Sequence, residues 1–295
     1  MDNTVENKDA AIFNRDQVLS QIDDLLKIQD QDERQAKTAE FIDERLKLLT
    51  EQSAPREFSL LSRPRKGFLN PESRIRRTFF VDPFMVDDPE AYKLLIDTFK
   101  EFKDAPGWSE KSLRDIAPYA VLRTIGNYFG NHWSSNNTEN NNRAFYMKRS
   151  TAESDDIHLN ELKGKGIAVC AEKGAVAQNL LSFLGYESEL VASTKCRLES
   201  PEKGDEGGHV YTVIKGDTNY FIFDPTNPTL IKREDGNVHT VMPSFYPINQ
   251  ESYQQLMSGG WVEVTHNDGI LDGGQTFKGS DQRRIYGGPS QATVA

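Results

Sequence analysis

Cysteine is nearly absent: Cys170 and Cys196 are the only two in 295 residues. At most one disulfide can form, which excludes a small secreted scaffold held by cross-links, and there is no CxxC pair for zinc or dithiol exchange. Histidine is scarce as well. His132, His158, His209, His239 and His266 lie far apart with no HxxxH spacing, so the usual helical zinc-hydrolase pattern is missing. There is no DxDxDG loop for calcium, and Gly164-Lys165-Gly166 lacks the glycines and the Lys-Ser/Thr ending of a phosphate loop. No metal and no cofactor are therefore expected.

The opening residues have neither a basic start nor an apolar run, and no long hydrophobic stretch follows. No signal peptide or membrane span is expected, and the reading is a cytoplasmic protein, with leaderless export left open. Positive charge is also short. A net charge of −10 argues against nucleic acid or an anionic membrane as the main partner. Hydrophobic residues make up only 37% of the chain, so appreciable stretches should be solvated.

Glycine and proline are missing from residues 14–52, where Val18, Leu19, Ile22, Leu25 and Leu26, then Ile42, Leu46 and Leu49, recur at helical spacing. One bent helix or two helices with a narrow apolar stripe are predicted. The first 52 residues hold thirteen acids and seven bases, which makes the other face acidic. This reads as a helical N-terminal extension over residues 1–55 that packs on the rest of the chain or docks a helix-binding protein partner through residues 14–52. Residues 56–78 are basic and contain proline, and read as a linker or extended arm.

Helical spacing returns with Tyr92, Leu95, Ile96 and Phe99, and again from near Ser112 through Ile116, Ala120, Ile125 and Phe129. The run SSNNTENNNR at residues 134–143 is too polar to pack and reads as a loop. A third helix is predicted from Cys170, with Val176, Ala177, Leu180, Leu181 and Leu184 on one side and Gly185 as its stop. Cys196 falls in a strand-like segment and reads as a packing thiol. Residues 261–265 alternate like a strand. Residues 268–295 hold six glycines and read as a flexible tail.

Two strand-like segments carry the chemistry. Gly208-His209-Val210-Tyr211-Thr212-Val213 and Phe221-Ile222-Phe223-Asp224-Pro225-Thr226 are joined by a short polar link. A two-residue Gly216-Asp217 turn, with Lys215 against Thr218, sets Tyr211 opposite Ile222 and His209 opposite Asp224, with Cβ atoms about 5 Å apart on one face. A carboxylate beside a histidine orients the imidazole as a general base. Cys170, at a helix start, is the candidate nucleophile, because unpaired N–H groups and the helix dipole there favour a thiolate.

Cys170 at a helix start, His209 opening a strand and Asp224 in Phe-Asp-Pro-Thr, over residues 162–228, resemble the transglutaminase-like superfamily of papain-like thiol enzymes. The resemblance implies an α+β fold, with a helical layer carrying Cys170 on a small antiparallel sheet carrying His209 and Asp224, and a catalytic domain over residues 79–267. It implies acyl transfer or hydrolysis at an amide bond of a protein or peptide, through a thioester at Cys170, with His209 as base and acid and Asp224 orienting the ring. Arylamine N-acetyltransferases are a more distant likeness: they share a Cys-x-Glu, but here Arg-Gly-Gly is missing before Cys170 and only 71 residues follow Asp224. Asn127, Asn131 and Trp133 are weak candidates for a side-chain oxyanion donor. The competing reading is a catalytically silent binding module of the same architecture.

Overall fold

The computed structural model describes residues 14–50, 56–62, 75–81, 88–130, 159–198, 207–232, 238–265, 268–270, 276–278 and 283–289. The polar run at residues 134–143, and Asn131 and Trp133, lie outside them.

The fold is α+β. The N-terminal stretch forms two helices, α1 (Arg15–Lys27) and α2 (Gln31–Thr50). Asn14 caps α1 by accepting the Gln17 N–H at 3.2 Å. Strands β1 (Arg56–Ser62) and β2 (Ile75–Val81) follow as an antiparallel pair, Arg56 against Val81 through Ser62 against Ile75. Within the segment expected over residues 56–78 to be a basic linker or extended arm, residues 56–62 and 75–78 are strand. Its arginines obscured the β-forming Phe58, Leu60, Leu61, Phe79 and Phe80, which suit a pleated strand.

Helices α3 (Glu90–Asp104), α4 (Leu113–Phe129) and α5 (Cys170–Phe183) make the helical layer. Ser112 caps α4 by accepting the Asp115 N–H at 3.2 Å, where the spacing predicts the helix to begin. The four-stranded antiparallel sheet runs in order β3 (Ser188–Cys196), β4 (Gly207–Lys215), β5 (Tyr220–Lys232) and β6 (Val238–Ile248). Ile214 and Phe223 face the helices, in one core with Tyr92, Phe99, Ile116, Phe129 and Leu180. Burying side chains of this size contributes about 1.5–3 kcal/mol each. Val213, Ile222 and Tyr246 face the other way, beneath α6 (Gln250–Met257), β7 (Trp261–Val264) and β10 (Arg284–Gly287).

The stripe of α1 and α2 is used inside the chain. Val18, Leu19, Ile22, Leu26, Ile42, Leu46 and Leu49 belong to the same core as α3 to α5. Arg45 donates to the carbonyls of Phe183 at 2.9 Å and Ser182 at 3.1 Å, satisfying the C-terminal end of α5 with a cation. Gly185 ends α5 at φ +83° with a Schellman pattern, Tyr186 N to Leu181 O at 2.9 Å and Gly185 N to Ser182 O at 3.0 Å. A Cβ there would also lie 2.7 Å from the Arg15 nitrogen, so the same glycine lets α1 come close.

Parts of the segment expected over residues 268–295 to be a flexible tail are strand instead. β8 (Asp268–Ile270) pairs with β9 (Thr276–Lys278), and β10 pairs with β7, Tyr286 against Val262. Tyr286 is fully buried. The glycine count hid the alternating Arg284-Ile285-Tyr286, whose large side chains have a surface to pack on only after the sheet forms.

Candidate active site

Small residues bring α5 to the sheet. Ala171 and Ala175 of α5 pack with Ala192 of β3 and Val210 of β4, and Cys170 lies against this cluster. Val210 follows His209 directly, so this packing brings the first turn of α5 to the beginning of β4. Cys170 is the first residue of α5 and is half-buried. Lys173 is the first residue whose N–H closes the helical ladder, onto Val169 O at 3.0 Å, so the first-turn N–H groups, that of Cys170 included, lie outside it. Glu172, buried, accepts the Val169 N–H at 3.1 Å. The Glu of Cys-x-Glu therefore caps the helix instead of joining His209 and Asp224.

The hairpin register differs from the sequence reading. Lys215 pairs with Tyr220, not Thr218, and the ladder continues through Val213 with Ile222 to Thr212 with Phe223. The connection is four residues long, closed by Gly216 N to Asn219 O at 2.7 Å. His209 and Asp224 are thus not directly opposed, and that expectation is corrected. A slip of two residues leaves every side chain on its face, because the strand period is two. It turns direct opposition into a diagonal, still within reach of an imidazole. His209 Nε2 and Asp224 Oδ2 meet at 2.8 Å.

Both neighbours of this pair are irregular. The register of β3 on β4 shifts between Ser193, opposite His209, and Cys196. That of β5 on β6 shifts between Asp224 and Thr229. Pro225 and Pro228 in the second shift have no N–H to give a ladder. Bulges of this kind re-aim side chains. The freed Thr226 and Asn227 N–H groups turn back onto Asp224 Oδ1 at 3.0 and 3.3 Å.

Asp224 is fully buried and accepts five hydrogen bonds. Besides the two backbone donors on Oδ1, its Oδ2 receives His209 Nε2, Asn227 Nδ2 at 3.1 Å and the Tyr286 hydroxyl at 2.9 Å. Asn227 Nδ2 also lies 3.4 Å from His209 Nε2, but that nitrogen donates to the carboxylate and has no lone pair to offer. Nε2 being taken, Nδ1 is the nitrogen left for the thiol. Arg284 Nη1 donates to Asn227 O and Ser244 Oγ, each at 2.6 Å, and ties the turn to β6.

The electrostatics follow from burial and charge. Burial pushes the Asp224 carboxyl up, but the His209 charge and hydrogen bond, then Arg284 and the Asn227 amide, outweigh it and hold it well below the usual range. Burial likewise disfavours a charged His209, yet the Asp224 carboxylate and a hydrogen bond and charge from Cys170 raise it well above the usual histidine value. Lys173, one turn beyond Cys170, is buried, which pulls its ammonium down to about 8 against the opposing pull of Cys170, Asp224 and Glu172. Burial pushes the Cys196 thiol up.

The three residues singled out in the sequence therefore gather at one place: Cys170 packs beside Val210, next to His209, and raises the charged form of that imidazole, while His209 hydrogen-bonds to Asp224. Asn127 is exposed on α4. Sequence reasoning missed Asn227, Tyr286 and Arg284. Asn227 had a signal in Asp-Pro-Thr-Asn-Pro, a turn-forming run beside a buried acid; Tyr286 and Arg284 had none beyond a short alternation. Among the described residues no three His, Cys, Asp or Glu side chains cluster as metal ligands, and no helix is long and apolar enough to cross a membrane. No protein-family model matches the chain, and no match was found among curated proteins or solved structures.

Proposed function

We propose that this protein is a thiol-dependent acyl-transfer enzyme of the transglutaminase-like, papain-like kind, acting on an amide of a protein or peptide. The observation that carries the reading is the buried 2.8 Å contact between His209 and Asp224, with Cys170, at the start of α5, packed beside Val210 next to the same imidazole. A thiolate on Cys170 and an imidazolium on His209 form one pair. The sulfur attacks the amide carbon, and the first-turn N–H groups of α5, which lie outside the helical ladder, take up the developing oxyanion. Collapse breaks the C–N bond; Nδ1 of His209 hands its proton to the departing amine, leaving a thioester. Water or an amine then attacks the thioester, His209 takes a proton from it, and Cys170 is released. Asp224 keeps Nε2 protonated throughout, which leaves Nδ1 as the working nitrogen. Water as acceptor gives a protease or deamidase, an amine a transglutaminase.

The test is reactivity followed by products. Iodoacetamide near neutral pH should label Cys170 much faster than the buried Cys196, and His209→Ala should slow that labelling. A peptide panel with and without amine donors, read by mass spectrometry, should give cleavage, a gain of about 1 Da, or an amine adduct. Cys170→Ala should remove every product while leaving the fold intact. Equal labelling of the two thiols, or turnover retained in Cys170→Ala, defeats the proposal and favours a binding module.

A further inference from the structure

We infer that Tyr286 is a positioning residue of this site, so that the C-terminal strand β10 is a working part of the catalytic machinery. The inference rests on the reading of Cys170, His209 and Asp224 given above. Tyr286 lies 62 residues beyond Asp224, is fully buried, and places its hydroxyl 2.9 Å from Oδ2, the oxygen that faces the imidazole. A buried phenol O–H needs an acceptor, and here the acceptor is a carboxylate, so the bond is charge-assisted. Together with Asn227 Nδ2 it fixes the lone pair that His209 Nε2 meets.

The strand is held in this position by contacts of its own. The Tyr286 ring stands edge-on to Tyr211 at 4.9 Å, and the Tyr211 hydroxyl donates to Gly287 O at 2.8 Å. Gly287 N reaches Cys196 Sγ at 3.4 Å. A Cβ on Gly287 would lie 2.5 Å from Ser193 Oγ and 2.9 Å from Lys195 Cβ, so the close approach of β10 to β3 requires glycine there. The ionisable groups acting on the His209–Asp224 pair are Cys170 and Lys173 from α5, Cys196 from β3, Tyr211 from β4, and Arg284 and Tyr286 from β10. Of these side chains, Tyr286 hydrogen-bonds directly to Asp224, beside the bond from His209.

Removing the phenol hydroxyl concentrates negative charge on Oδ2, and a more basic carboxylate holds the imidazolium proton more tightly. The measurement is the pH dependence of Cys170 alkylation by iodoacetamide in the full chain, whose alkaline step reports loss of the imidazolium proton. In Tyr286→Phe that step should move to higher pH by about half a pH unit or more, as expected for one lost bond to a charged group. A fluorinated tyrosine at position 286 keeps the shape and strengthens the donor, and should move the step the other way; it decides the matter if Tyr286→Phe does not fold. Tyr211→Phe loosens the same strand without removing a donor to Asp224 and should leave the step in place. An unmoved step in the position-286 variants, or an equal shift in Tyr211→Phe, overturns the inference, while the catalytic reading survives if His209→Ala still abolishes the step. A wild-type profile with no such step fails the catalytic reading itself.

Discussion

Asp224→Asn is the substitution that asks most of this structure, because it keeps the shape and removes only the charge. The carboxylate has two donors on Oδ1, both backbone N–H groups, and three on Oδ2, all from side chains. Backbone N–H groups cannot turn away, so the new amide oxygen should stay on the Oδ1 side and the new NH₂ should face His209, Asn227 and Tyr286. To accept from it, His209 must give up the Nε2 proton and carry it on Nδ1, towards Cys170. That is the wrong tautomer for taking a thiol proton. Reversal of this kind costs about 10⁴-fold in turnover in serine-type triads. For alkylation the bound is smaller: a thiol returned to its ordinary value near 8.5 is only about 3% thiolate at pH 7, so labelling of Cys170 should slow by up to about 30-fold. Breaking a buried pair typically costs 3–5 kcal/mol; with the shape kept, about 3 kcal/mol is expected in urea melts at pH 7.

The pH dependence of stability carries a second signature of the same change. Asp224 is depressed in the folded state, so its contribution is present above its ordinary unfolded value of about 3.9 and is lost as pH falls towards the folded value. His209 is raised, so its contribution is complete below about 6.5 and is lost as pH rises through its folded value. Both slopes should flatten in Asp224→Asn. If the variant labels at the wild-type rate between pH 6 and 7, with the wild-type stability profile, the buried pair does not set the state of the thiol and the reasoning is wrong.

Three further outcomes test how the site is held. Gly185→Ala must take φ +83° and press a Cβ to 2.7 Å from the Arg15 nitrogen, so it should lose about 2–4 kcal/mol in urea denaturation; a loss under 1 kcal/mol contradicts the tight turn. Glu172→Ala leaves the buried Val169 N–H without its carboxylate and should cost about 1 kcal/mol, with faster amide exchange confined to the first turn of α5; global exchange changes alone argue against a capping role. Arg45→Met keeps the stem but removes two donors from the C-terminal carbonyls of α5, and should cost about 2–4 kcal/mol with the α5 end fraying first; a neutral result means that water serves those carbonyls as well.

Much of the architecture was legible because it is local. The 3.6-residue spacing that marked α1 to α5 reflects one face of each helix seeking a common core, and Ser112 and Gly185 announced their ends by backbone chemistry. Cys170 at a helix start and the parity that puts His209 and Asp224 on one face were likewise written in the chain, since strand alternation survives a register slip of two. What the sequence could not decide was anything set by contact between distant segments. The four-residue connection after Lys215 depends on packing of both strands, not on the preference of Gly-Asp for a tight turn. Residues 56–62 and 75–81 became paired strands, and the glycine-rich end sent Tyr286 to the carboxylate and Arg284 to the turn beside it. Composition reports how readily a segment pays its entropy alone; only the assembled sheet supplied the buried surface and the acceptor that made ordering those residues favourable.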